Sequence, residues 1–141
     1  MTTPRWIKLL VVGLGTALAL YGCGGGGGTE SVSNKVTVLS SGNGNFSIRG
    51  DAIKNVAGIL LTLSYDPAYL SNPTVTEGDL FTGFYPEFYT GLVGTIRIAY
   101  VSTNGVSGSG TIASISFANY SGNRKPALTS VQLVSPDGKT Y

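Results

Sequence analysis

Val56-Ala-Gly-Ile-Leu-Leu-Thr-Leu-Ser-Tyr-Asp-Pro-Ala-Tyr-Leu70 is the stretch on which the fold turns. Ile59, Leu61, Leu63 and Tyr65 alternate with Leu60, Thr62 and Ser64. A period of two puts one set on each side of a strand, and here one side is fully apolar. Asp66-Pro67 stops the strand, because proline fixes φ and cannot donate to a ladder, and Asp-Pro starts turns. Tyr69 and Leu70 then fall at the spacing of a single helical turn that folds back over the end of the core. The stretch reads as the central strand of an all-β sandwich.

Shorter segments on either side fit the same architecture. Lys35–Leu39 sets Val36 and Val38 on one face, and Gly42-Asn43-Gly44 is a turn rich in residues that tolerate positive φ. Phe46, Ile48 and Arg49-Gly50-Asp51 form a second short strand, followed by a connection over Ala52–Asn55. Arg-Gly-Asp resembles an adhesion tripeptide, but three residues recur by chance and these end a strand. Pro73–Glu77 reads as an edge strand and Gly78-Asp79 as a turn. Gly94–Ser102 places Ile96, Ile98 and Tyr100 inward, with Thr95, Arg97 and Ala99 outward. Asn104–Gly110 is a Gly/Ser turn region. Thr111–Asn119 alternates again, with Ile112, Ser114 and Ser116 against Ala113, Ile115 and Phe117. Ser121–Pro126 is a surface loop, Leu128–Val134 a last strand and Asp137-Gly138 a final turn. Eight or nine short strands with closely spaced turns and no long helix define a β-sandwich.

Leu80–Thr90 is the most aromatic segment, with Phe81, Phe84, Tyr85, Phe88 and Tyr89. That spacing fits one face of a helix, yet Gly83 and Pro86 interrupt it, so a bent strand or flap is an equal alternative. Two roles are open to it. Tyr85 and Tyr89 are candidates for stacking on the sugars of a polysaccharide. Alternatively the phenylalanines cap an open end of the core, which the absence of any tryptophan beyond Trp6 favours.

The N-terminus reads separately. Arg5 and Lys8 precede an apolar run, Leu9–Leu20, that falls short of the roughly 20 residues needed to cross a bilayer. Leu20-Tyr21-Gly22-Cys23 closes it. Residues 1–22 are therefore expected to be a signal peptide, and the cysteine resembles the lipobox of bacterial lipoproteins, although Tyr21 replaces the usual small residue. That resemblance implies cleavage before Cys23, lipidation of its sulfur and amine, and anchorage in the cell envelope. Gly24 in place of an aspartate implies the outer membrane, on its periplasmic or surface side. Residues 23–34, with Gly24–Gly28 at their start, form a tether. The folded domain is expected over 35–141.

Composition excludes several chemistries. The chain has no histidine and one cysteine, so neither a histidine-based nucleophile pair nor a zinc site can be assembled. Of its nine basic residues Arg5 and Lys8 lie in the leader; the seven that remain balance seven acidic ones, which gives no signature for nucleic acid. Asp51, Asp66, Glu77, Asp79, Glu87 and Asp137 are dispersed, mostly at turns, and no loop has the dense acidic spacing of a calcium site. No enzyme activity, cofactor or metal is expected.

The order of motifs resembles the cohesin domain, which receives dockerin modules. The matching residues are Val56-Ala57-Gly58, Leu63-Ser64-Tyr65-Asp66-Pro67-Ala68-Tyr69-Leu70, Val75 through Gly78-Asp79-Leu80, Gly94-Thr95-Ile96-Arg97-Ile98, and Gly108 through Phe117. The resemblance implies a jelly-roll β-sandwich of about nine strands, akin to some carbohydrate-binding modules. It also implies a protein partner, dockerin-bearing in the family, held on one flat sheet face. The strands matching Gly58–Ser64 and Thr95–Val101 contribute to that face, and alternation sets Leu60, Thr62, Ser64, Arg97 and Ala99 on its outer side. Leu60 there is either part of a recognition patch or covered by the aromatic segment. Polysaccharide binding through Tyr85 and Tyr89, and a structural subunit that pairs by its sheet edges, are the two competing functions.

Overall fold

A computed structural model describes residues 34–141. The segments expected to be a signal peptide and tether, with Cys23 between them, lie outside the described residues except for Asn34. Six strands follow in order: β1 (Lys35–Gly42), β2 (Asn45–Ser64), β3 (Leu70–Glu77), β4 (Tyr85–Tyr89), β5 (Thr95–Tyr120) and β6 (Ala127–Val134). All pairings are antiparallel.

β2 and β5 are long, and each serves both layers of a sandwich. The first part of β2 pairs with the last part of β5, from Asn45↔Ser116 to Gly50↔Gly110. Flanked by β1 and β3, these limbs make one layer in the order β1-β2-β5-β3. The second part of β2 pairs with the first part of β5, from Gly58↔Val101 to Ser64↔Thr95. Here β6 adds to β2 and β4 to β5, giving a second layer in the order β6-β2-β5-β4. Strands that change layer through bulges are a standard way to turn the corner of a packed sheet pair.

The number of strands therefore differs from the eight or nine expected. Ala52–Asn55 is not a connection, and Asn104–Gly110 is not a turn. The two segments face each other as the kinked middles of β2 and β5, with register shifts between Gly50 and Gly58. Ala52 and Asn55 take positive φ, 50° and 48°, which drives the bend. Side chains supply the lost ladder bonds: the Ala52 N–H donates to Ser109 Oγ and the Asn55 N–H to Ser107 Oγ, both at 2.9 Å.

One core fills the space between the layers. Ile59, Leu61, Leu63 and Tyr65 are buried as expected, and so are Ile96, Ile98 and Tyr100. Each such side chain contributes about 1.5–3 kcal/mol when removed from water. Phe117 packs edge-on to Phe46 and Tyr65, with ring centroids at 5.9 and 5.1 Å. In β5 the expected alternation slips, because Ile112 and Ala113 are both buried. A bulge between Thr111 and Ala113, opposite Arg49 and Ile48, resets the phase, so Ile112, Ala113, Ile115 and Phe117 all serve the core.

The aromatic segment divides by residue type. It contains no helix: a turn over residues 79–83 leads into β4. Phe81 is fully buried and stacks on Tyr100 at 5.4 Å, while Phe84 and Phe88 pack against the core. The phenylalanines thus cap the sandwich, and the tyrosines point away. After β2, Asp66 Oδ1 accepts the Ala68 N–H, and the Tyr69 and Leu70 amides donate to the Asp66 carbonyl, the single helical turn expected. Leu70 is buried and Tyr69 is not.

Candidate binding face

The register of the β6-β2-β5-β4 layer fixes what its outer side displays. Alternation gives three rows across the strands: Tyr85, Val101, Gly58 and Val134; then Glu87, Ala99, Leu60 and Gln132; then Tyr89, Arg97, Thr62 and Ser130. Ser64, paired with Thr95 and Ala127, continues the face toward the Asp66 turn. Leu60, Thr62, Ser64, Arg97 and Ala99 therefore form one contiguous patch on two neighbouring strands, as the sequence indicates.

Tyr85 and Tyr89 lie on the same face, one strand further out. The sequence treats the two sets as separate candidates; pairing of β4 with β5 joins them, Tyr85 beside Val101 and Tyr89 beside Arg97. Val101, Leu92 and Val134 were not singled out by the sequence. Val101 is 61% exposed, and Leu92 lies in the loop after β4. The clue to Val101 was available, since it is the next outward position after Ala99.

Leu60 is 41% exposed. It lines an open groove of about 430 Å³ with Glu87, Tyr89, Leu92, Arg97 and Ala99. β4 thus borders Leu60 and does not cover it. Glu87 and Arg97 bring one charge of each sign, and neither is ion-paired within the described residues.

The outer side of the other layer has a different chemistry. Thr37, Arg49 and Thr111 form one row, Ser47, Ser114 and Thr76 lie in the next beside Leu39, and Asn45, Ser116 and Thr74 follow. It is a mainly hydroxyl and amide surface with one exposed leucine and the Arg49 guanidinium. The Arg-Gly-Asp tripeptide sits flush in this ladder, the Arg49 Nε bonded to Asp51 Oδ1 at 2.9 Å. Among the described residues, no three of the His, Cys, Asp and Glu side chains gather as metal ligands.

A two-layer antiparallel sandwich with layer-crossing strands is a jelly-roll β-sandwich. Within that class the fold is that of the cohesins. A non-cellulosomal cohesin of the archaeon Archaeoglobus fulgidus superposes with a TM-score of 0.61 at 18% identity, over 77% of this chain and 75% of that one. The sixth cohesin of scaffoldin B from Acetivibrio cellulolyticus, solved in complex with a mutant Cel5 dockerin, gives 0.67 at 13% identity, over 77% and 91%. A type II cohesin, A11, of Bacteroides cellulosolvens gives 0.60 at 15% identity, over 77% and 90%. No protein-family model and no curated protein matches the chain.

Proposed function

We propose that this domain is a cohesin-type recognition module that binds a protein partner, dockerin-bearing in kind, on the outer face of the β6-β2-β5-β4 layer. The observation that carries the reading is the contrast between the two outer faces. One exposes Leu60, Val101, Tyr85 and Tyr89 around the Glu87 and Arg97 charges; the other is mostly Ser, Thr and Asn, with Leu39 its one exposed large apolar side chain and Arg49 held by Asp51. Aromatic and aliphatic anchors beside a few charges are the composition of an interface core, and a solvated polar face is not. The fold shared with cohesins, one of them solved with a dockerin bound, supports the same partner class. We further propose that the domain is displayed outside the cytoplasm on a lipid carried by Cys23, at the outer membrane, and that it performs no catalysis.

Calorimetric titration against a panel of dockerin modules tests the reading. One dockerin is expected to bind, and Leu60→Asp and Arg97→Glu are each expected to weaken it by about tenfold or more, as loss of a central anchor does. Leu39→Asp, on the opposite layer, is expected to leave the affinity unchanged. If no dockerin binds, or if binding survives the Leu60→Asp, Arg97→Glu double variant, the recognition face is not this one. Polysaccharide binding is the second reading, favoured by Tyr85 at 84% and Tyr89 at 53% exposure on one strand. Retention on a polysaccharide that is lost with Tyr85→Ala or Tyr89→Ala would replace the first.

A further inference from the structure

The end of the sandwich opposite Lys35 holds a second concave site that the proposed docking face does not use. Its first wall is the loop between β5 and β6. The Ser121 N–H donates to the Tyr69 carbonyl at 2.9 Å, which ties this loop to the Asp66–Tyr69 turn. The Arg124 guanidinium then lies over the Tyr69 ring, 4.7 Å from its centroid. Stacking of this kind holds a guanidinium in one place while leaving its donors free.

The facing wall is the β1–β2 hairpin. Gly42, Asn43 and Gly44 all take positive φ, 85°, 55° and 72°, the conformation of a tight hairpin turn. Tyr120 lies against Gly44, where a Cβ atom would come within 2.7 Å of the ring. The glycine is needed twice, for its φ and for the seat of the ring. The Tyr120 hydroxyl is 3.4 Å from Asn43 Oδ1, so the amide nitrogen of Asn43 is left to donate elsewhere. Tyr120 is still 51% exposed.

Between the walls is a cavity of about 410 Å³, lined by Ser40, Asn43, Tyr120, Asn123, Arg124 and Lys125 among others. Among the described residues the ion pairs are Arg49–Asp51 and Lys139–Asp137, so Arg124 and Lys125 meet no carboxylate. No acidic residue lines the cavity, and Asp66, at the start of the turn that carries Tyr69, has its Oδ1 engaged by the Ala68 N–H. Two cations without an ion pair, two residues with side-chain amides and a half-exposed tyrosine thus line one small cavity.

Each component selects a part of the ligand. The cations select an acidic group, which a guanidinium grips with paired donors. The amides suit hydroxyls, and the exposed ring suits the C–H face of a sugar. A neutral sugar would leave the cations idle, and a bare inorganic anion would leave the ring idle. The volume lies toward the lower end of ligand pockets, roughly 300–1,000 Å³, which corresponds to one or two rings. We propose that this end of the sandwich binds an anionic saccharide, its carboxylate held by Arg124 and Lys125 and its ring resting on Tyr120.

The test uses the whole chain and calorimetric titration with short oligomers of galacturonate, glucuronate and mannuronate. Their methyl-esterified forms, inorganic phosphate and phosphatidylglycerol vesicles serve as comparisons. At least one uronate is expected to bind, with its ester about tenfold weaker because the charge-assisted bonds are gone. Arg124→Gln and Tyr120→Ala are each expected to weaken binding by a similar factor, while Tyr120→Phe, which keeps the ring, retains it. Leu60→Asp is expected to leave it unchanged, which separates this site from the docking face. No uronate binding, equal binding of the ester, or full affinity in Tyr120→Ala would overturn the proposal. So would binding of phosphate as tight as the uronate, or vesicle binding without uronate binding.

Discussion

Tyr100 is the residue that ties the layers together. It belongs to the half of β5 in the β6-β2-β5-β4 layer, yet its phenol donates to the carbonyl of Ile112 in the other layer at 2.7 Å. Phe81 stacks on its ring and Phe88 meets the ring edge at 5.8 Å. Burial pushes its pKa up to about 12, against the Gly78 backbone hydrogen bond and with the charge of Glu77 adding to the rise. The unfolded phenol ionises near pH 10, so the stability this group contributes is complete below that pH and is lost as the pH climbs toward 12. Tyr100→Phe is expected to cost about 0.5–1.5 kcal/mol at neutral pH, the net value of one buried hydrogen bond, because the Ile112 carbonyl still accepts the Gly78 N–H at 3.0 Å. In urea unfolding the gap between wild type and variant should narrow from pH 10 upward. A gap constant with pH would show that the phenol titrates alike in both states. That Tyr100 points inward was legible in the alternation of Ile96, Ile98 and Tyr100; that its hydroxyl bridges two layers was not, because Ile112 comes opposite it only when β5 folds back on itself.

At the scale of elements, the kinks of β2 and β5 matter most. Ala52–Asn55 and Asn104–Gly110 read as loops because they lack alternation and carry Gly, Ser and Asn. Those residues do bend the chain, but the bend stays within a paired ladder because two serine hydroxyls accept the displaced amides. Replacing Ser107 and Ser109 by alanine is expected to destabilise the fold by about 1 kcal/mol per lost bond. Hydrogen exchange at the Ala52 and Asn55 amides should accelerate with it, while exchange at Leu61 in the straight part of β2 changes only with global stability. Unchanged protection at the two amides would mean that other acceptors hold the corner. β4 shows a second limit. Positions 81, 84, 85, 88 and 89 satisfy a helical period, and Gly83 with Pro86 favours the alternative without placing it. Pairing with β5 sorts them, Phe88 beside Ile98 on the inner side and Tyr89 beside Arg97 on the outer. β3 and β4, each paired only with β5 among the described residues, carry Pro73 and Pro86. Proline on an edge withholds a donor from any incoming strand, which weighs against pairing through these two edges, while β1 and β6 carry no proline.

For the whole molecule, function depends on which surface faces a partner and on what the domain is attached to. The short apolar run and Cys23 lead to a direct prediction: expressed in a bacterial host, the full chain should fractionate with the membrane and carry the mass of a lipid on residue 23. Cys23→Ala should abolish both, because an apolar run this short does not span a bilayer. Membrane association unchanged in that variant would remove the lipid anchor from the reading. By itself, the sequence determined the all-β class, the inward set Ile59, Leu61, Leu63, Ile96, Ile98 and Tyr100, the turn at Asp66-Pro67, and the outward position of Leu60, Thr62, Arg97 and Ala99. It could do so because a two-residue period is a local property, readable wherever one face of a strand is apolar. Only the tertiary structure decided that two strands serve both layers, that a bulge at Ile112 resets the phase of β5, and that Tyr85 and Tyr89 share a face with Leu60. The same holds for Tyr120, Arg124 and Asn43, drawn together around one cavity from a strand end, a loop and a distant hairpin. These are relations between segments far apart in the chain, set by strand pairing and by the packing of one layer on the other, and no local period encodes them.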